Sequence, residues 1–251
     1  MSDEDRLSSV TLMRAGERID SSDPDAGLRT DGKGDDYIKK IVDNGKAVEL
    51  KLKYLPFDSI VHAPSRVATE TIAAIIRRSK LSVSHAEIRK EHGIHFQSPA
   101  QWELIVRALK EIVKQGIGTL ADLQAAVEHC VSDGKIDKNF FSGEAERLFA
   151  CISGEIEQLP RGSAILCIMH SPLPEAIMLW LWENSSVIFR AHRKLQDIPM
   201  LDHIDCFTLG FRGRSFVRAL VEPLGKRLEE WEKGKEMAGH ALDRIGKSQH
   251  R

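Results

Sequence analysis

The sequence has few cysteines, no long apolar run and no excess of either charge. Its four cysteines, Cys130, Cys151, Cys167 and Cys206, form no Cys-x-x-Cys pair, which argues against a zinc site. No apolar run approaches the roughly 20 residues that a transmembrane helix needs. The formal net charge is −1, from 36 basic and 37 acidic residues. This balance argues against nucleic acids or anionic membranes as the main partners, because both require a basic excess.

The chain is nevertheless large and apolar enough to fold unaided. It has 251 residues, of which 42% are hydrophobic and 29% are charged, so it can bury a core without disulfides or metals. Met1–Asp5 is acidic and polar, unlike a secretory signal. We therefore expect a cytoplasmic globular protein that needs neither a metal ion nor a cofactor.

Strand-like and helix-like segments alternate along the chain. The predicted strands are Val10–Arg14, Asp58–His62, Leu81–Ile88, Ala164–Met169, Val187–Arg190 and Cys206–Leu209. The predicted helices are Asp31–Lys46, Arg66–Arg78, Trp102–Gln115, Leu120–Val131, Glu144–Gln158, Glu175–Glu183 and Arg214–Lys233. Such alternation predicts an α/β domain with a mostly parallel sheet flanked by helices.

The domain organisation predicted from composition is simple. Residues 1–9 are expected to be a flexible N-terminus and residues 235–251 a polar tail, with one domain over 10–234. Residues 98–159 are almost wholly helical and form an insert in that domain. The aromatic residues of the insert are interpreted as core rather than as an interaction surface.

Charged and polar side chains follow several predicted strands at the point where each strand ends. Arg14 ends the first strand, Arg66 lies just beyond the second, Glu91 follows the third, and His170 follows the fourth. In open α/β sheets, ligands bind outside the carboxyl ends of the strands. Arginine suits a bidentate grip on phosphate, so these residues predict a pocket for phosphate or a similar dianion.

In their order and spacing, four segments resemble the histidine phosphatase superfamily, which includes the cofactor-dependent phosphoglycerate mutases. Residues 12–17 read Leu-Met-Arg-Ala-Gly-Glu, where the family has a strand ending in Arg-His-Gly-Glu. Residues 28–32 are similar to its Leu-Thr-x-x-Gly. Residues 62–71 loosely match its Ser-Pro-x-x-Arg-Ala-x-x-Thr, and residues 165–171 match its apolar strand ending in His-Gly. The resemblance covers about residues 10 to 210 and implies a phosphoglycerate mutase-like fold.

The resemblance also implies roles for individual residues. In that family a histidine attacks the phosphoryl group, two arginines and a second histidine hold the phosphate, and a carboxylate protonates the leaving oxygen. Arg14, Arg66 and His170 would then hold the phosphate, and Ser21 would be a further polar contact. Glu91 is the candidate acid, with Glu87 as the alternative.

Ala15 departs from the pattern at its most important position. It stands where the family has its phosphorylated histidine, and a methyl group cannot attack phosphorus. Losing a covalent nucleophile can cost up to ~10⁶ in rate. Either the chain lost this histidine naturally, or the histidine was deliberately changed to alanine. Natural divergence is favoured by further departures, Ser171 for the glycine after the second histidine and Ala63 for the serine before Pro64.

Three functions remain open at this point. The chain could be a catalytically impaired protein that binds a phosphorylated small molecule or a phosphoprotein. It could be a phosphomonoesterase whose nucleophile was replaced by Ala15 or is a residue not yet recognised. It could also be an interaction scaffold with a vestigial pocket. The sequence leaves the oligomeric state open, a homo-oligomer included.

Overall fold

Six strands form one mixed sheet in the order β3-β2-β4-β1-β5-β6. A computed structural model describes residues 7–18, 26–28, 57–79, 87–114, 118–184, 194–201, 206–212 and 215–221. The strands are β1 (Ser8–Arg14), β2 (Ser59–His62), β3 (Glu87–Lys90), β4 (Ala164–Met169), β5 (Cys206–Arg212) and β6 (Ser215–Val221). Strands β1 to β4 are mutually parallel, whereas β5 and β6 each pair antiparallel. The predicted α/β fold with a mostly parallel sheet is confirmed.

Strand β4 lies at the centre of the sheet because its sequence is apolar throughout. All six of its residues are buried, as expected for a parallel strand covered on both faces. Ile165 lies beside Val10 of β1 on one side and Ser59 of β2 on the other. Gly162, with φ 84, forms the turn that leads into this strand.

Five α-helices accompany the sheet in the described part of the chain. They are α1 (Arg66–Ser79), α2 (Pro99–Ile112), α3 (Leu120–Ser132), α4 (Phe140–Glu157) and α5 (Leu173–Asn184). Short 3₁₀ turns span His92–Ile94 and Leu195–Asp197. None of the helices in the described ranges has the length and apolar character that crossing a membrane requires.

Helices α2, α3 and α4 correspond to the predicted insert and are called the cap below. Thr119 begins α3 with a capping box, in which its hydroxyl and the Asp122 carboxylate satisfy each other's backbone N–H groups. Trp102 and Phe141 are buried in the cap, and their ring centroids are 5.8 Å apart. Phe140 and Phe149 are partly buried against the same core, so the interpretation of these aromatics as core is confirmed.

The predicted final helix, Arg214–Lys233, is wrong over its first part. Ser215–Val221 is instead strand β6, which pairs antiparallel with β5 from Arg212↔Ser215 to Phe207↔Val221. Phe216 and Val217 favour a strand when a partner strand is available. Pairing with a distant segment therefore overrides the helical composition of the whole stretch. Residues 222–233 lie outside the described residues.

Several other predicted boundaries need adjustment. β1 begins at Ser8, so this residue belongs to the sheet and not to a flexible terminus. Helix α4 begins at Phe140, four residues before the predicted start. The predicted helix Asp31–Lys46 and the predicted strand Val187–Arg190 lie outside the described residues, as do residues 81–86 of the predicted third strand and the tail.

Candidate functional site

The carboxyl ends of β1, β2 and β4 lie side by side at one edge of the sheet. Arg14 pairs with Met169, and His62 pairs with Ile168. The Ala15 N–H donates to Met169 O at 2.9 Å, which brings Ala15 next to the end of β4. His170 directly follows Met169, so Arg14, Ala15 and His170 share this edge. Ala15 itself is only 3% exposed.

His170 lies in a largely buried setting built from aromatic rings. Its side chain is 6% exposed, and the Phe96 ring stacks on it with centroids 6.1 Å apart and planes 14° apart. The His95 ring meets the His170 ring edge-on, with the two ring centroids 5.8 Å apart. Burial, followed by the charges of Arg18, His95 and Arg14, lowers the pKa of His170 to about 3. The imidazole is therefore neutral at physiological pH.

Arg14 is held by a chain of hydrogen bonds that also reaches Glu175. Its Nη1 donates to Leu201 O at 2.5 Å, and Leu201 N donates to Glu175 Oε1 at 3.1 Å. The Ser171 hydroxyl donates to the same carboxylate oxygen at 3.3 Å. Glu175 is 0% exposed, and burial raises its pKa against the opposing effect of the Arg14 charge. The network thus links Arg14, at the end of β1, to Ser171, after β4, through Leu201 and the buried carboxyl group of Glu175.

Arg66 has a different setting. Its Nε donates to Glu70 Oε1 at 2.8 Å, and its side chain is 66% exposed. The other oxygen of Glu70 accepts the Leu28 N–H at 2.6 Å, so this carboxylate joins α1 to residues 26–28. The hydrogen bond from Arg66 is the main cause of a lowered pKa for Glu70. Arg14 and His170 are thus brought together at the strand ends, while Arg66 is paired on the first turn of α1.

A count along the chain explains the position of Arg66. In the pattern Ser-Pro-x-x-Arg-Ala-x-x-Thr, the arginine comes three residues after proline and four before threonine. Counted from Pro64 and back from Thr71, that position is Val67, and Ala68 then matches the alanine. Val67 is fully buried. The Thr71 hydroxyl accepts the Gly16 N–H at 3.0 Å and donates to Val67 O at 2.7 Å, so Thr71 ties α1 to the segment that follows β1.

The two candidate acids are also accounted for. The Glu91 carboxylate accepts the Gly93 N–H at 2.8 Å and caps the 3₁₀ turn that follows β3. Glu87 begins β3, and its side chain lies outside what the structure describes. The residues of this region that reach the His170 ring are His95 and Phe96. Burial, followed by the charges of Arg18, His92 and Arg147, lowers the pKa of His95.

Three residues near His170 were missed by the sequence analysis as site residues. Ser65 Oγ lies 2.7 Å from His170 Nε2, and Arg18 and His95 carry charge that acts on the His170 ring. Ser65 could have been noted because it lies within the segment after β2 that carries the family resemblance. Arg18 and His95 carry no such signal, because only the fold brings them near His170. Ser21, a predicted phosphate contact, lies outside the described residues.

The side chains at this edge can bind an oxyanion. Arg14 and Arg18 carry guanidinium groups, which bind planar and tetrahedral oxyanions strongly, and the rings of His95 and His170 lie at the same edge. The Ser65 hydroxyl adds a neutral donor beside them. Among the residues described, no group of three or more His, Cys, Asp or Glu side chains is arranged to hold a metal ion.

No family model and no curated protein sequence matches the chain. Solved structures, in contrast, match most of it. Phosphoglycerate mutase from Bacillus anthracis str. Sterne superposes with a TM-score of 0.52 and 16% identity, over 90% of this chain and 96% of that one. The chain has a phosphoglycerate mutase-like fold.

Two further structures are similar to it. Mycobacterial hydrolase 1 superposes with a TM-score of 0.50 and 14% identity, over 86% of this chain and 97% of that one. The mycobacterial glucosyl-3-phosphoglycerate phosphatase Rv2419c has a TM-score of 0.46 and 12% identity, over 86% and 97% of the two chains. At these identities the likeness concerns the phosphoglycerate mutase-like fold alone, so function has to be argued from the residues at the strand ends.

Proposed function

We propose that this protein binds a phosphate group, on a small molecule or on a phosphoprotein, at the carboxyl edge of its sheet. We propose further that it has lost the phosphohistidine chemistry associated with the family that its sequence resembles. The observation that carries both statements is Ala15, a buried residue that follows Arg14 and whose N–H donates to Met169 O, next to His170. The residues that would hold the anion remain, whereas the position of the nucleophile is empty of reactive atoms.

Support for binding comes from the basic character of this edge. Arg14 and His170 are the central proposed contacts, with Ser21 as a further one. Arg66, which is exposed and paired with Glu70, is proposed as a peripheral contact of small effect. The charges of Arg18 and Arg14 both act on His170, so the edge carries a positive field where an anion would bind. Arg14 can give an arriving dianion a charge-assisted hydrogen bond.

Support for the loss of phosphohistidine turnover extends beyond Ala15. Val67 occupies the arginine position of the pattern, and the Glu91 carboxylate accepts the Gly93 N–H. Efficient turnover of an ordinary monoester by that chemistry needs its second arginine and its acid as well as its histidine. Glu91, with Glu87 as the alternative, is proposed as the residue at the position of the acid.

Calorimetric titration with inorganic phosphate at constant ionic strength tests the binding. We expect saturable binding to the parent protein, and weaker binding to His170→Gln by tenfold or more. His129→Gln is the matched control, because His129 is an exposed histidine on α3 in the cap. Absence of phosphate binding to the parent would overturn the proposal and favour a scaffold function.

Incubation with p-nitrophenyl phosphate tests the lost chemistry. We expect no acid-labile phosphohistidine in the parent and formation of one in Ala15→His, read by intact mass under alkaline and acidic quench. Acid-labile phosphorylation of the parent would overturn the loss of this chemistry. Its absence from Ala15→His would overturn the assignment of position 15 as the nucleophile position.

A further inference from the structure

Ser65 and His170 form a close side-chain pair at the strand ends. Ser65 Oγ lies 2.7 Å from His170 Nε2, within the distance expected between a serine nucleophile and its base. The same oxygen accepts the Ala68 N–H at 3.3 Å. With that lone pair occupied, the hydroxyl proton is free to point at Nε2. In this arrangement His170 Nε2 accepts a hydrogen bond from the hydroxyl, and the neutral ring carries its own proton on Nδ1.

Both members of the pair are fixed in position by their surroundings. The Ser65 N–H donates to Ala63 O at 2.7 Å, and Ser65 O accepts the Thr69 N–H at 3.1 Å, which sets the residue at the start of α1. The His170 ring is stacked by Phe96 and bordered by His95. The pair is therefore held in its hydrogen-bonded geometry before a substrate arrives.

We propose that Ser65 is a nucleophile activated by His170, and that it accepts the phosphoryl group of a monoester bound at this edge. The inference rests on the proposed phosphate binding for delivery of the ester. It adds a reactive residue where Ala15 leaves none. Arg14 and Arg18, whose charges reach the His170 ring, would stabilise the charge on the transferring group.

The reaction balances with water as the only co-reactant. Ser65 Oγ forms a bond to phosphorus as the bond to the ester oxygen breaks, and the hydroxyl proton passes through His170 Nε2 to the departing oxygen. Water then attacks phosphorus and gives a proton to Nε2. The Oγ–P bond breaks, and Oγ regains that proton. The products are the free alcohol and inorganic phosphate.

The nucleophile can be tested apart from anion binding with an uncharged fluorophosphonate. Here the Oγ–P bond forms, the P–F bond breaks, and the hydroxyl proton leaves through Nε2 with fluoride. We expect a single adduct, mapped to Ser65 by peptide mass spectrometry, that forms at least tenfold more slowly in His170→Gln. Inorganic phosphate should protect Ser65 from labelling. An unlabelled Ser65 in the folded parent would overturn the inference.

The pH profile of labelling separates an active base from a structural contact. The lowered pKa of His170 keeps the imidazole neutral from pH 5 to 8. The labelling rate should therefore change by less than about threefold over this range. An ordinary histidine, with a pKa near 6.5, would lose roughly thirtyfold by pH 5. A steep loss between pH 7 and 5 would contradict the buried setting of the proposed base.

Turnover of p-nitrophenyl phosphate gives the second readout. Ser65→Asn is the sharpest variant, because asparagine also caps helices but has no hydroxyl. Ser98→Ala is the matched control, since Ser98 precedes α2 and makes no side-chain capping bond. We expect an acid-stable phosphoserine in the parent, and loss of both turnover and phosphoserine in Ser65→Asn but not in Ser98→Ala.

The two proposals fail in different ways. Phosphate binding without labelling of Ser65, or turnover unchanged in folded Ser65→Asn, would overturn the serine nucleophile and leave the phosphate site standing. Labelling of Ser65 without phosphate binding would retain a reactive Ser–His pair and remove the anion site. Thermal melts of each variant establish that it is folded before either result is read.

Discussion

The cap and the strand-end edge are built on opposite principles. The interior of the cap is mainly apolar, with Ile105, Leu123 and Leu148 fully buried, and the capping box at Thr119 satisfies the start of α3. The strand-end edge buries His170 and Glu175, two groups that cost free energy when they are charged in an apolar setting. The cap mainly buries apolar side chains, as its sequence pattern predicts, whereas the strand-end edge buries side chains that can be charged.

This difference separates stability from function. Carboxyl and imidazole groups whose charged forms are destabilised by burial are concentrated at binding and catalytic sites. Substitutions in the cap should therefore change the free energy of unfolding and leave anion binding alone. Substitutions at the strand ends should mainly change anion binding, and some of them should raise the free energy of unfolding.

The largest expected effect is in the cap. Leu123→Ala removes a fully buried side chain of α3 and should lower the free energy of unfolding by about 2–5 kcal/mol. Urea unfolding measures this loss, and phosphate titration should give a Kd within twofold of the parent. Glu128→Ala, on the exposed side of the same helix, serves as the control. A parallel fall in phosphate affinity would break the separation between the two regions.

Arg14→Met should have the next largest effect, now on binding. Removing a charged hydrogen-bond donor from the edge should weaken inorganic phosphate binding by about 1.5–3 kcal/mol, roughly 10- to 150-fold. Arg107→Met, which removes an exposed arginine paired with Glu103 in the cap, should bind like the parent. Equal affinities of Arg14→Met and the parent would remove Arg14 from the site.

Glu175→Gln sharpens the comparison, because it should stabilise the protein. A folded-state pKa above the unfolded value means that unfolding favours ionisation, so Glu175 costs stability as the pH rises above about 4.5. Glutamine keeps an acceptor for Leu201 N–H without the charge. We expect a gain of about 1 kcal/mol at pH 8 and no difference at pH 4, from thermal melts. A less stable variant at pH 8 would mean that attraction between Arg14 and ionised Glu175 outweighs the cost of burial.

The smallest effect is expected for Arg66→Ala. An exposed ion pair contributes about 0–1 kcal/mol, so both stability and phosphate affinity should change by no more than this. Glu70→Gln, measured alongside, reports the loss of the same pair from its other side. A tenfold weaker phosphate affinity for Arg66→Ala would show instead that Arg66 leaves Glu70 to hold the anion.

Much of the fold was predictable because its signals are local. The run Ala164–Met169 is apolar throughout and forms the central strand, and Thr119 with Asp122 marks the start of α3. Strand β6 was not predictable in this way. Its conformation depends on pairing with β5, a contact that the segment's own composition does not encode.

The candidate site was predictable only in part, for a similar reason. Arg14 and His170 follow strands directly, so the topology alone brings them to one edge. Arg66 lies one residue before the arginine position of the family pattern, which the spacing from Pro64 and Thr71 places at Val67. Its consequence, an arginine directed to Glu70, became visible only once the register of α1 was known. His95 reaches His170 from a separate turn, which no local pattern specifies.

Phe96 belongs to both regions at once. Its ring lies 5.8 Å from Trp102 of the cap and 6.1 Å from His170 at the strand ends, centroid to centroid. Local unfolding of α2 would therefore uncover the imidazole as well as the apolar interior of the cap. Water reaching that ring would return its basicity toward that of a free histidine. The proton affinity of His170 should therefore report whether α2 is packed against Phe96.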